Sequence, residues 1–128
     1  GAASHDLPPI SENYVVLRFD SSLVFINSAF FEQAVMRAIS QFPQAKAVLV
    51  IGNGINQIDA TGEEKLRALA GDLKQAGVTL MLSGLKKPVR EALMRAGLDT
   101  ALGSENLFVS KEIALEALRR RYDLNSSQ

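Results

Sequence analysis

The chain is 128 residues long, a length that suits one domain with a single core. With 47% hydrophobic and 22% charged residues it can bury that core, which excludes a disordered tail, a collagen-like repeat and a small stapled scaffold. Fourteen Lys and Arg against fourteen Asp and Glu leave no net charge, hence no broad positive field for nucleic acid; the lack of cysteine removes disulfides, thiolate metal sites and cysteine nucleophiles.

The chain begins Gly1-Ala2-Ala3-Ser4-His5, without Met or the apolar core of a signal peptide, and reads as a cloning remnant ahead of an excised fragment. Residues 1–13, with Pro8-Pro9, read as a linker, residues 14–122 as the folded domain and 123–128 as a polar tail. Tyr14–Phe19 and Leu23–Ile26 are β-branched and aromatic runs parted by Asp20-Ser21-Ser22, which predicts two strands and a turn. Asn27 and Ser28 then offer a cap to a helix whose apolar positions are Phe30, Phe31, Ala34, Val35, Ala38 and Ile39, ending before Pro43.

Ala47–Ile51 is continuously apolar, as expected of a central strand covered on both faces. A glycine- and amide-rich stretch, Gly52 to Gly62, leads into a helix striped by Leu66, Leu69, Ala70 and Leu73 and closed by Gly77. Val78–Leu82 reads as the next strand, and Pro88 opens a helix bearing Val89, Leu93 and Met94 that Gly97 closes. Asn106–Val109 is a short edge strand, and Ser110 caps a last helix through Ile113, Ala114, Ala117 and Leu118. This alternation predicts an α/β domain with a mixed, mostly parallel sheet of four or five strands and about four helices.

Chemistry is sought where open α/β sheets bind ligands and partners, at the carboxyl ends of strands and the adjoining helix starts. The candidate residues are Asn53, Gly54, Asn56, Asp59, Thr61 and Gly62. Thr61 followed by Glu64 reads as a capping box that opens the second long helix, and an exposed Thr61 is also a candidate phosphate acceptor. Asp59 stands without partner carboxylates in sequence, so a structural or interaction role is favoured over a metal site, and no metal is expected. Gly52 and Gly54 fit neither glycine-rich phosphate motif. His5 is the sole histidine and lies in the apparent remnant, which disfavours acid-base and Ser/His/Asp chemistry. Arg119-Arg120-Arg121 reads as a solvated helix face, with an acidic partner or lipid headgroups as the alternative.

Several features in order resemble a STAS domain: Ser22 to Ala29, the strand Val48–Ile51, Ile58-Asp59-Ala60-Thr61-Gly62, Gly77-Val78-Thr79-Leu80, and Gly97-Leu98 with Gly103 through Phe108. The likeness spans roughly residues 14 to 121. Leu-x-Phe-x-Asn-x-Ala, at Leu23 to Ala29, is similar to the subgroup that ends SulP anion permeases, the sulfate-permease-like transporters. Bacterial anti-sigma-factor antagonists, the other large subgroup, carry Asp-Ser-[Ser/Thr]-Gly with the first Ser phosphorylated. Here Ala60 occupies that position and has no hydroxyl, which leaves Thr61 as the remaining acceptor and favours the transporter subgroup.

The resemblance implies a non-catalytic regulatory and protein-interaction domain of a SulP-type transporter of sulfate or a related anion, on the cytoplasmic side of the inner membrane, the fragment itself being soluble. Its expected partners are the transmembrane part of the same transporter and a cytosolic protein, with self-association left open and nucleic acid not expected. No resident cofactor is implied, although some members of the family bind nucleotide. The alternative is a stand-alone partner-switching protein of the anti-sigma-antagonist kind; a small nucleotide-hydrolysing enzyme is a third reading, motivated only by the glycine-rich loop.

Overall fold

The computed structural model describes residues 3–4 and 11–124. The strands are β1 (Ala3–Ser4), β2 (Tyr14–Phe19), β3 (Ala47–Ile51), β4 (Thr79–Ser83) and β5 (Leu107–Phe108), and they form one sheet in that order. β2 to β5 are mutually parallel, with Val15 opposite Val48, Val48 opposite Leu80 and Leu82 opposite Leu107, while β1 pairs antiparallel with β2. Each parallel crossover is made by helices: α1 (Phe25–Gln41), α2 (Ala60–Gln75), then α3 (Lys87–Arg95) with the short α4 (Leu98–Leu102). Because every crossover steps the same way along the sheet, right-handed connections place all of these helices on one face. α5 (Lys111–Leu118) follows the last strand and packs on the other.

The strands alternate between two cores, as their pleat requires. Val15, Leu17, Phe19, Val48, Val50, Leu80 and Leu82 meet Phe31, Val35, Leu66, Leu69, Leu73, Val89 and Leu93 on the helical face. Tyr14, Val16, Leu49, Ile51 and Met81 meet Ala114 and Leu118 on the other. β3 therefore lies mid-sheet and is buried along its whole length, as its unbroken apolar run predicts. If Leu66, Leu69 and Leu73 are each credited with about 1.5–3 kcal/mol of burial, this stripe is what docks α2. Gly77 and Gly97, with φ of +82° and +74°, close α2 and α3 in a left-handed conformation that glycine adopts without strain.

Four expectations need correction. Leu23–Ile26 is not a strand: Leu23 forms an isolated parallel bridge with Ile58, and α1 already begins at Phe25. An apolar run this short fits either state, and here Leu23 N donates to Gln57 O while its carbonyl accepts from Asp59 N, so pairing is confined to that one residue. Nor do Asn27 and Ser28 cap α1: Val24 occupies the cap position with no side-chain bond, and Asn27 Nδ2 instead reaches back to Ser21 Oγ and Ser22 O, both at 3.0 Å. α4 adds a fifth helix, anchored by buried Leu98 and Leu102 one turn apart. Phe30, Met94 and Ile113 remain 39%, 54% and 50% exposed, because they sit at the borders of their helices' apolar stripes. Of the segment read as linker, residues 1, 2 and 5–10, His5 among them, lie outside the described residues, as do residues 125–128 of the tail.

Candidate functional site

The loops at the carboxyl ends of β2, β3 and β4 converge. Leu23 N donates to Gln57 O at 2.9 Å and Asp59 N to Leu23 O at 3.3 Å, so the segments ahead of α1 and α2 are stitched together. Gly54 packs on Asp20: a Cβ at Gly54 would lie 2.8 Å from the Asp20 Cα. Asn53 lies over Gly84, whose φ of +69° and missing Cβ make room for the asparagine side chain. Lys86 Nζ hydrogen-bonds Asn56 Oδ1, tying the β4–α3 loop to the same cluster. The candidate residues thus gather at one end of the sheet, with Asn53, Asn56 and Thr61 exposed and Gly54 and Asp59 half-buried, whereas Gly62 is buried against Leu23 and is not part of the surface.

The capping box expected at Thr61 and Glu64 is not formed. Asp59 is the cap of α2, in extended conformation, and its Oδ1 accepts from Gly62 N at 2.8 Å. The bond from Asp59 N to Leu23 fixes the turning point two residues earlier than the Thr61 pattern predicts, and Glu64 pairs with Arg67 at 3.5 Å. Asp59 thus stands at the start of α2, where its side chain takes up one of the helix's free N–H groups. Thr61 is left in the first turn of α2 with its side chain toward solvent. Lys65 Nζ, one turn further on, bonds Glu32 Oε1 of α1 at 3.0 Å.

Beside this cluster an open cavity of about 280 Å³ is lined by Arg18, Ile51, Asn53, Val109, Ser110, Lys111 and Glu112. Ser110 caps α5 as expected, its Oγ accepting from Ile113 N at 3.2 Å. A larger cavity of about 370 Å³ opens between α2 and α4 at the other end of β4, beside Lys74, Thr79 and Asn106, and contains none of the candidate residues. Sequence reasoning passed over the Arg18 and Lys111 side of the surface, because the two residues are 93 positions apart and only the sheet brings them together. Among the described residues no group of three or more His, Cys, Asp or Glu is placed to hold a metal ion, and no helix is long and apolar enough to cross a membrane.

The arginine run does not form one basic patch. Arg119 pairs with Glu116 at 2.9 Å; Arg121 donates to Asn106 Oδ1 at 2.9 Å and Glu105 O at 2.8 Å and lies over the Phe108 ring. The next residues close the amino end of the sheet. Asp123 accepts from Ser11 Oγ at 2.5 Å, Asn13 Nδ2 at 3.1 Å and Tyr14 OH at 2.9 Å. Burial first, then the hydrogen bond to Asp123 and that residue's charge, push the Tyr14 hydroxyl up to about 12. Burial acts to raise the Asp123 carboxyl, but the bonds from Ser11, Asn13 and Tyr14 and the charge of Arg119 outweigh it and hold the group below its ordinary range.

Four parallel strands with crossover helices on one face, a lone helix on the other and three loops gathered at one end define a small α/β domain with a polar surface cluster. The STAS domain model matches residues 8–113, and the chain belongs to that family. It is 29% identical over 108 residues to a probable sulfate transporter of Mycobacterium tuberculosis, a match covering 84% of this chain and 19% of the relative. A second relative, probable sulfate transporter 3.5 of Arabidopsis thaliana, is 28% identical over 115 residues, covering 87% of this chain and 18% of that one. The chain therefore spans about a fifth of the length of the curated relatives it matches.

Solved structures agree in fold. The SulP transporter STAS domain of Vibrio cholerae superimposes with a TM-score of 0.72 at 22% identity, over 95% of this chain and 89% of that one. SLC26A9 gives 0.77 at 20% identity, over 91% of this chain and 21% of that one. The unphosphorylated anti-sigma factor antagonist SpoIIAA gives 0.67 at 17% identity, over 94% of this chain and all of that one.

Proposed function

We propose that this chain is the non-catalytic regulatory domain of a SulP-type anion transporter and acts by presenting the surface built from Asn53, Gly54, Asn56, Asp59 and Thr61, with Gly62 packed beneath it, to a protein partner. The observation that carries the reading is the match to two proteins named as probable sulfate transporters over 84% and 87% of this chain, within a small part of their own length. In this reading the domain is joined to a transmembrane part, lies on the cytoplasmic side of the membrane and has no cofactor of its own. A cytosolic protein that binds the surface differently in two transporter states shifts the balance between them by that difference in affinity. Exposed Asn53, Asn56 and Thr61 supply hydrogen-bonding groups, and the bonded loops beneath hold them in place at little ordering cost on binding.

The test is anion uptake by cells expressing the complete transporter with Asn56→Ala and Thr61→Ala together. These changes leave the core intact, so altered uptake at unchanged protein level supports the reading; uptake equal to the parent overturns the role of this surface. Uptake that persists after deletion of the whole domain, with unchanged rate and regulation, overturns the reading itself.

A second reading is a partner switch of the anti-sigma-antagonist kind, supported by the SpoIIAA likeness and by the exposure of Thr61 in the first turn of α2. A phosphate there gains from the helix dipole. Incubation with the partner kinase followed by peptide mapping decides it: phosphate on Thr61 supports the switch, and an unlabelled chain excludes it.

A further inference from the structure

We infer that Asn53 is a self-modifying position, at which the Gly54 backbone nitrogen converts the asparagine amide to a carboxylate. Asn53 and Gly54 occupy the middle of a turn closed by Ile55 N donating to Gly52 O at 3.0 Å. That turn leaves the Gly54 N–H outside every hydrogen bond among the described residues. Asn53 is exposed, and the glycine that follows puts no side chain in the way of its own nitrogen.

The other described asparagines contrast with it. Asn13 is bonded to Tyr122 O and Asp123, Asn27 to Ser21 and Ser22, Asn56 to Lys86, and Asn106 to Leu102 O and Arg121. Each of the four is followed by a residue with a side chain. Among the described residues Asn53 alone joins an amide with no hydrogen bond to a glycine with a free N–H.

The step needs water and no oxidant or reductant. Gly54 N gives up its proton to solvent and bonds to Asn53 Cγ; the bond from Cγ to the side-chain nitrogen breaks, and that nitrogen takes up one proton from solvent and leaves as ammonia. The resulting five-membered imide is opened by water at one carbonyl or the other. One product is an aspartate; the other is an isoaspartate, whose main chain runs through Cγ and is one methylene longer. Both add a negative charge beside Arg18 and Lys111 in the cavity that Asn53 lines. The longer chain also disturbs the close packing of Gly54 on Asp20. A change in docking would follow only under the proposed function, but the chemistry stands apart from it.

The test is peptide mass mapping of the folded protein held in mildly alkaline buffer at physiological temperature, beside a synthetic peptide spanning residues 50–58. The expected result is conversion at Asn53 to paired aspartate and isoaspartate products, ahead of Asn13, Asn27, Asn56 and Asn106, and loss of that ammonia release in Asn53→Gln with an unchanged melting temperature. An Asn53 that stays intact in the folded protein while the peptide converts overturns the inference, as does conversion led by any other asparagine. Because the readout is mass, a failure here leaves the docking proposal untouched, and a failure of docking leaves this result standing.

Discussion

Gly62, in the first turn of α2, lies against the carbonyl group of Leu23: a Cβ at residue 62 would approach the Leu23 carbonyl carbon to 2.9 Å and the Ile58 Cγ1 to 3.1 Å. The carbonyl is held in place by Asp59 N and cannot swing aside without breaking that bond. Gly62→Ala is therefore expected to destabilise the domain by about 1–3 kcal/mol, as overpacking does. Gly71 is the control, since it lies in the same helix with nothing within 4 Å of a built Cβ. Gly71→Ala is expected to stabilise by about 0.5–1 kcal/mol through helix propensity. Urea unfolding of the two variants checks both; equal signs would mean that α2 does not dock on Leu23.

The assignment of the α2 cap is tested by substitution of its two rivals. Asp59→Ala removes the acceptor of Gly62 N and is expected to cost about 1 kcal/mol, whereas Asp59→Asn or Asp59→Ser retains most of it. Thr61→Ala is expected to stay within about 0.5 kcal/mol, because its side chain faces solvent and caps nothing. A larger loss at Thr61 than at Asp59 would restore the Thr61 and Glu64 box. Thermal melts at neutral pH provide the comparison.

Core and surface separate along the same helix and its loop. Leu69, 1% exposed and in contact with the core beneath α2, is expected to cost about 2–5 kcal/mol when truncated to Ala. Asn56→Ala removes an exposed bond to Lys86 and is expected to cost less than about 0.5 kcal/mol. Denaturant midpoints read both, and a common value would mean that the core and loop assignments are interchanged.

Asp123 predicts a pH dependence at the acid end. Its carboxyl is held below the unfolded value, so its contribution is complete above the ordinary carboxylate range and is lost as pH falls through the folded value. The stability gap between the parent and Asp123→Asn is expected to be widest near neutrality and to close in acid. Tyr14 acts at the other end: its hydroxyl, raised from 10.0 to about 12, contributes below 10 and loses that contribution as pH rises towards about 12. Tyr14→Phe is expected to flatten the alkaline limb of the curve. Melting temperature against pH for the three proteins checks the signs.

Much of the architecture is legible in the residues. The unbroken run Ala47–Ile51, the alternation of strand and helix, and the glycines at 77 and 97 identify a parallel sheet with helical crossovers because pleat, helical period and left-handed glycine are local properties. The candidate loop is legible too, since the end of a central strand is where such sheets leave polar backbone exposed. What escaped local reading lies at junctions: the state of residues 23–26, the identity of the α2 cap, and α4.

By itself the sequence determined the succession of strands and helices and a mostly parallel sheet with right-handed crossovers, which follow from local hydrophobic period, and it carries the residues that resemble the STAS family. Only the tertiary structure decided that Leu23 stops as a single bridge, that Asp59 displaces Thr61 as cap, and that Asn53 alone among the described asparagines is left without a hydrogen bond. The reason is physical: the first two outcomes depend on backbone bonds to a partner in another segment, Leu23 N to Gln57 O and Asp59 N to Leu23 O. Such bonds do not exist until the sheet brings those loops to the same end.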